Sequence, residues 1–283
     1  MSYKMLVLDL DDTLLRDDLT ISSKTREAIL AAQSYGATVV IATGRPTYAC
    51  ISIAKEIGLD KYGGFVISFN GAVITNVATG HVLREVNITK ENVYALYQLS
   101  QELGSHILTY MNNKIITPKN NEYIEIEKKL TSMPIVEVED FVSFIDRNVP
   151  KAILLQEPTY LKWVAEQIRP RIPSGLNMTF SKPFFLEFMN ENVDKALSVS
   201  LLADYLGIDL SSVIAVGDGY NDISMIKCAG LGVAMGNSVD KVKEASDYIT
   251  HSNMEDGVAE IIYRFMLVTR IADQYRPHGG VPA

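Results

Sequence analysis

Apolar and polar positions along the chain follow two rhythms. In the first, short unbroken apolar runs alternate with amphipathic stretches. Met5-Leu6-Val7-Leu8, Val39-Val40-Ile41-Ala42 and Val213-Ile214-Ala215-Val216 show no polar alternation. A strand hidden on both faces reads this way, as in a parallel sheet. Helix patterns lie between the runs. Ser22 and Ser23 can cap a helix whose Ala28, Ala32 and Tyr35 share a face, with Gly36 as its stop. Pro46 suits the first position of a helix to Ile57, closed by Gly58. Phe65 to Phe69 reads as a strand, and Asn70-Gly71 as a turn returning into Val73-Ile74-Thr75. The rhythm resumes with a helix from Ala196 to Leu206, a strand from Ser212 to Val216 and a helix through Met225 and Ile226. Leu231 to Met235, Val239 to Ala245, Tyr248-Ile249 and Asp256 to Val268 complete it as strand, helix, edge and helix. This order predicts an α/β fold, a doubly wound parallel sheet.

The second rhythm runs from about Val82 to Glu187. It reads as a helix to Leu103, a hairpin around Asn112-Asn113, a polar helix from Glu122 to Leu130 and a strand from Ala152 to Leu155. A helix from Tyr160 to Ile168 carries Trp163, expected in the core, and short strands flank Lys182-Pro183. No apolar run here ends in acids. The segment therefore reads as an α+β domain inserted into the first. The expected division is residues 1–82 with 188–283 as core and 83–187 as insert. The tail from Tyr275 to Ala283, with its Pro and Gly residues, is expected to be loose.

A length of 283 residues accommodates one large domain or two ordinary ones. The net charge of −8 argues against a general binder of nucleic acid or anionic membrane. A phosphorylated small molecule stays compatible, because a local site or a metal reverses the sign. Cys50 and Cys228 are far apart, with no Cys or His at metal-ligand spacing, so two reduced, buried thiols in a cytoplasmic protein are expected. The first residues do not read as a signal peptide, and no apolar run approaches bilayer length. His81, His106 and His251 have no partner at ligand spacing and read as ordinary histidines.

Candidate chemistry lies where the apolar runs stop. The first ends in Asp9-Leu10-Asp11-Asp12-Thr13. In extended chain Asp9 and Asp11 project to one side, where crowding favours a bound cation and an Asp can act as nucleophile. An Asp-rich turn reads equally well from this stretch alone. The second run ends in Thr43-Gly44-Arg45-Pro46, where a hydroxyl and helix-start N–H groups suit a phosphate; a plain Thr cap fits too. The third ends in Gly217-Asp218-Gly219-Tyr220-Asn221-Asp222, and Lys195 stands at another helix start. Ligands bind beyond the carboxyl ends of such strands. Parallel strands put these ends on one edge, and that mixture of groups suits Mg²⁺ with a phosphoryl group.

Taken in order, these four motifs resemble the haloacid dehalogenase superfamily of phosphohydrolases, in its Cof-like branch with a large cap. Ser68-Phe69-Asn70-Gly71-Ala72 and Met254-Glu255-Asp256-Gly257-Val258 are similar to that branch as well. The resemblance covers about 1–82 and 188–268. Asp12 stands where the family usually has Gly, and Ala196 where Gly is common. The resemblance implies a Rossmann-like core and a phosphatase of small phosphomonoesters, such as sugar, polyol or flavin-precursor phosphates. It implies Asp9 as nucleophile, forming an aspartyl-phosphate, and Asp11 as acid and base. It implies Mg²⁺ held by Asp9, the Asp11 carbonyl and Asp218, with Asp222 and the Gly219 region in support. Leu10, Thr43, Gly44, Lys195 and Asn221 would bind the phosphoryl oxygens, and Arg45 the substrate or the cap. A phosphomutase or phosphotransferase, or a non-catalytic phosphometabolite sensor, are the competing readings.

Overall fold

A computed structural model describes residues 3–267; the expected loose tail and Val268 lie outside the described residues. The strands are β1 Met5–Leu8, β2 Thr38–Ala42, β3 Phe65–Ser68, β4 Val73–Asn76, β5 Val82–Glu85, β6 His106–Met111 and β7 Lys114–Thr117. They continue as β8 Ile135–Glu137, β9 Ala152–Leu155, β10 Leu176–Lys182, β11 Phe185–Asn190, β12 Val213–Gly217, β13 Leu231–Ala234 and β14 Tyr248–Ile249.

The first sheet has eight strands in the order β14-β13-β12-β1-β2-β3-β4-β5. From β14 to β3 all pairs are parallel, and β4 and β5 return antiparallel. β1 is central, and Leu8 lies opposite both Val216 and Ile41. The C-terminal ends of β12, β1 and β2 are therefore level.

Apolar continuity in β1 follows from cover on both sides. Leu6 and Leu8 pack with Ile29, Ala54 and Ile261, while Met5 and Val7 pack with Val199, Leu202 and Met225. Each such fully buried side chain contributes roughly 1.5–3 kcal/mol. The expected doubly wound parallel sheet is the observed one.

The second sheet has six strands in the order β10-β11-β9-β6-β7-β8, antiparallel except for β7 with β8. One face carries the helices Lys90–Glu102 and Pro158–Ile168, packed through Leu96, Leu161, Leu154 and Phe188. The other carries Tyr110, Ile153, Leu155 and Phe185, which pack with Phe69, Ala72 and Val73 beside the first sheet. This second face looks toward the edge where β1, β2 and β12 end.

Several expectations change in detail. Val82–Glu85 pairs with β4 in the first sheet, and β11 runs on to Asn190, so both edges of the insert expected at 83–187 shift toward the C-terminus. β5 is an edge strand with little burial, which leaves no apolar pattern to read. Trp163 is 44% exposed and leans on Tyr160, with ring centroids 5.2 Å apart. Its helix buries Leu161, Val164, Ala165 and Ile168, and Trp163 falls off that stripe. Cys228 is only partly buried. Pro46 has an extended ψ of 148°, and its helix begins at Thr47. Lys195 is already helical, with the Asp194 carboxylate accepting the Leu197 N–H at 3.0 Å.

Candidate active site

β1 delivers Asp9 to the sheet edge, and the chain then turns sharply. Asp12 adopts φ 57° and ψ 6°, the left-handed conformation that explains why Gly is usual there. The turn is held from outside, since Asn237 Nδ2 donates to the Asp12 carbonyl at 2.7 Å. Thr13 Oγ1 donates to Asp218 Oδ1 at 2.8 Å and so ties the first acidic stretch to the fourth motif.

Lys195 enters from the helix after the second sheet. Its Nζ donates to Asp9 Oδ1 at 2.6 Å and to Asp222 Oδ1 at 2.5 Å. The ammonium is fully buried. Burial works against its charge, but Asp222 and Asp9 outweigh burial and raise its pKa. Asp222 Oδ2 accepts the backbone N–H groups of Asp218 and Gly219, at 3.0 and 2.9 Å. Both oxygens of Asp222 are thus engaged, Oδ1 with Lys195 and Oδ2 with the Gly217–Gly219 turn. A Cβ on Gly217 would lie 2.5 Å from the Asp222 side chain, so this close approach requires glycine.

Asp9, Asp218 and Asp222 each present an oxygen within 4.8 Å of the others. Burial, then Asp222, hold the Asp9 carboxyl well above the ordinary carboxylate range. Burial likewise pushes Asp218 up to about 7, with Asp222 and Asp12 adding to the effect against the Thr13 hydrogen bond. Three carboxylates face one ammonium in a desolvated place, so full ionisation of all three calls for a further cation. A hard divalent cation fits that oxygen donor set and that charge.

Thr43 and Gly44 follow β2 beside this cluster. Thr43 Oγ1 accepts the Arg45 N–H at 3.1 Å, which leaves its own proton to donate elsewhere. The Thr43 carbonyl accepts the Asn70 N–H, and the Arg45 carbonyl the Phe69 N–H, at 2.9 and 3.0 Å. Asn70 has φ 57° and takes the Asn221 amide at 3.1 Å through its Oδ1. Arg45 grips both oxygens of Asp11 through Nε and Nη2, and its Nη1 reaches the Leu130 carbonyl at 3.3 Å. One guanidinium therefore links the first acidic stretch to the helix Glu122–Thr131 beneath the second sheet.

The structure brings Asp9, Lys195, Asp218, Gly219 and Asp222 together, with the Thr43–Arg45 turn and Asn221 alongside. Leu10 follows Asp9 in the turn. Sequence reading passed over Thr13 and Asn70 as site members. Thr13 stands inside the acidic motif, and Asn70 reads as a turn residue within a stretch similar to the Cof-like branch, with no role attached. Lys151, whose Nζ lies 3.3 Å from the Gly44 carbonyl, carried no local signal at all.

With this geometry in place, the comparisons define the class. The model of the haloacid dehalogenase-like hydrolases matches residues 6–262. The chain belongs to that family and is an enzyme of its phosphatase type. It is 33% identical over 264 residues to the 5-amino-6-(5-phospho-D-ribitylamino)uracil phosphatase YcsE of Bacillus subtilis, covering 93% of this chain and 96% of that protein. Among solved structures it resembles a haloacid dehalogenase-like hydrolase from Bacteroides thetaiotaomicron, with 41% identity, a TM-score of 0.89 and coverage of 93% and 99%. It also resembles the subclass IIB sugar phosphatase BT4131, with 28% identity, a TM-score of 0.77 and coverage of 93% and 98%.

Proposed function

We propose that the protein is a Mg²⁺-dependent phosphatase of small phosphomonoesters, sugar or polyol phosphates including flavin-precursor phosphates, acting through an aspartyl-phosphate. The observation that carries this is the cluster of three carboxylates, Asp9, Asp218 and Asp222, around the single ammonium of Lys195, beside the Thr43-Gly44 turn. Such a place binds a divalent cation and, through it, a phosphoryl group. The relatives' names add the substrate range, a flavin-precursor phosphate in one and sugar phosphates in another.

Asp9 and Asp218 would hold the ion through their carboxylates, and Asp11 through its main-chain carbonyl. When bound, Mg²⁺ neutralises phosphoryl charge and aligns the group. Asp222 supports the Asp218–Gly219 turn and balances Lys195. The chain's own residues carry the chemistry. An Asp9 oxygen attacks phosphorus, the O–P bond to Asp9 forms, and the ester P–O bond breaks. Asp11 gives its proton to the departing alkoxide. It then takes a proton from water, whose oxygen attacks phosphorus and frees Asp9 and inorganic phosphate. Lys195, Asn221, the Thr43 hydroxyl and the N–H groups of Leu10 and Gly44 bind the phosphoryl oxygens. Arg45 neutralises the Asp11 carboxylate, so proton donation requires that pair to open.

Phosphate release from p-nitrophenyl phosphate tests the reading. Turnover with Mg²⁺ and its loss in EDTA are expected. Full activity in EDTA would exclude the cation, and no release from any ester would exclude the phosphatase. Transfer to an added sugar faster than hydrolysis would favour a phosphotransferase.

A further inference from the structure

We propose that Lys151 and Glu187 receive the alcohol portion of the phosphoester, and that they select neutral, hydroxyl-bearing groups over anionic ones. This rests on the phosphatase reading above and assigns its specificity to named residues.

Lys151 precedes β9 and shares a sheet face with Ile153 and Leu155; Glu187 lies in β11 between Phe185 and Met189 on the same face. That face looks toward the catalytic edge. Lys151 Nζ donates to Glu187 Oε1 at 2.9 Å and to the Gly44 carbonyl at 3.3 Å. Two residues on from Glu187, Met189 Sδ lies 3.7 Å from Asn70 Nδ2, whose carboxamide also meets Asn221. The Lys151–Glu187 pair thus sits directly above the turn that follows β2, on the side from which an ester's alcohol would project.

Both residues are almost fully buried, at 3% and 4% exposure. A buried ion pair adds little stability over an apolar pair of the same size. This one is also incomplete: Glu187 Oε2 is buried with no hydrogen-bond partner among the described residues. Buried carboxylate oxygens are normally satisfied, so an oxygen left over in a binding region calls for a donor from outside the chain. A hydroxyl is such a donor. Lys151 then offers the complementary N–H to an adjacent hydroxyl oxygen. The rings of Phe69 and Tyr110 flank the ammonium at 6.0 and 5.7 Å and give an apolar wall for C–H groups. The Tyr110 hydroxyl is committed to Glu127, at 2.6 Å, which fixes that wall.

Charge decides the class of alcohol. Glu187 cancels Lys151, and Glu127 adds a second acid nearby. Lys182 also acts on Glu127, so the two lysines and the two glutamates offset each other, and among these described residues no net positive charge remains for a carboxylate or a second phosphate on the leaving group. Hydroxylated, uncharged alcohols match this lining.

The test compares kcat and KM of the full-length protein for a hexose phosphate, p-nitrophenyl phosphate and phosphoglycolate. The wild type is expected to prefer the hexose phosphate to phosphoglycolate by about tenfold or more in kcat/KM, the scale of one hydrogen bond to a charged group. Glu187→Gln keeps the size of the side chain and should lower the ratio of hexose phosphate to aryl phosphate about tenfold, chiefly through KM. Lys151→Gln should move the ratio the same way. A folded Glu187→Gln protein with an unchanged ratio overturns the assignment, as does a wild type that prefers phosphoglycolate. The wild-type series decides even if the variants do not fold. A wild type that releases phosphate from none of the three esters instead refutes the phosphatase reading itself.

Discussion

Lys195 and Asp9 are 186 positions apart in the chain, yet Nζ of one lies 2.6 Å from Oδ1 of the other. Asp9 directly follows the central strand and Lys195 begins the helix that returns from the second sheet. The two bury a charge pair that also involves Asp222. Positioning and charge in the site are therefore fixed before any substrate arrives.

Replacement of Asp9 by Asn removes the nucleophile while keeping shape and a polar partner for Lys195. Turnover should fall by roughly a thousandfold or more. Melting should stay within a few degrees of the wild type. Residual turnover near the wild-type rate, measured as phosphate release, would exclude Asp9 as nucleophile.

Lys195→Met should destabilise the fold. It leaves Asp9 and Asp222 buried without their cation, and breaking such a pair costs about 3–5 kcal/mol. Urea unfolding would show a lower midpoint, with Mg²⁺ restoring part of the loss. An unchanged midpoint would mean that the ammonium contributes no net stability.

Asp218 sets a pH dependence for the metal-free protein. Its carboxyl is raised from 3.8 to about 7 in the fold, burial being the main cause. The folded state therefore binds this proton more tightly than the unfolded chain. The stabilisation is full below the unfolded value and is lost as pH rises through about 7. In EDTA, Tm should fall across that window. Added Mg²⁺ should raise Tm most at the upper end, where the ion competes with no proton. A Tm that climbs with pH in EDTA would contradict this.

Arg45→Ala cuts the link from Asp11 to Leu130. The insert then loses one polar tie to the catalytic edge. Limited proteolysis should cleave faster in the crossings near 86–89 and 191–193, and kcat/KM should fall. Unaltered cleavage and kinetics would make the link incidental.

Cys50 is fully buried, its thiol pushed up to about 12 by burial and its Sγ 3.3 Å from the Pro46 carbonyl. Native protein should therefore leave Cys50 unmodified by iodoacetamide while the more accessible Cys228 reacts first. Peptide mapping after brief labelling reads the order, and faster loss of Cys50 would refute it.

Local sequence carried the apolar strands, their helices and the acids at their ends, because burial on both faces demands unbroken apolar runs and caps need specific residues. At Asp12 it was the resemblance that helped: the family usually has Gly there, and the observed φ of 57° is the left-handed conformation that Gly suits. Trp163 shows the opposite. Size argued for the core, but the helix stripe set by Leu161, Val164 and Ile168 turned it outward. β5 was missed for a related reason, since an exposed edge strand has no apolar signature.

The order of residues along the chain was enough to place candidate side chains at the ends of the apolar strands, on one sheet edge. Their partners emerged from the folded arrangement. It tied Asp222 to Lys195 and two backbone amides, Asp11 to Arg45, and Lys151 to Glu187 above Gly44. Apolar period and capping act over a few residues and are written locally. Charge pairing depends on distances in space between groups 27 to 186 residues apart, and those distances exist only once the chain has folded.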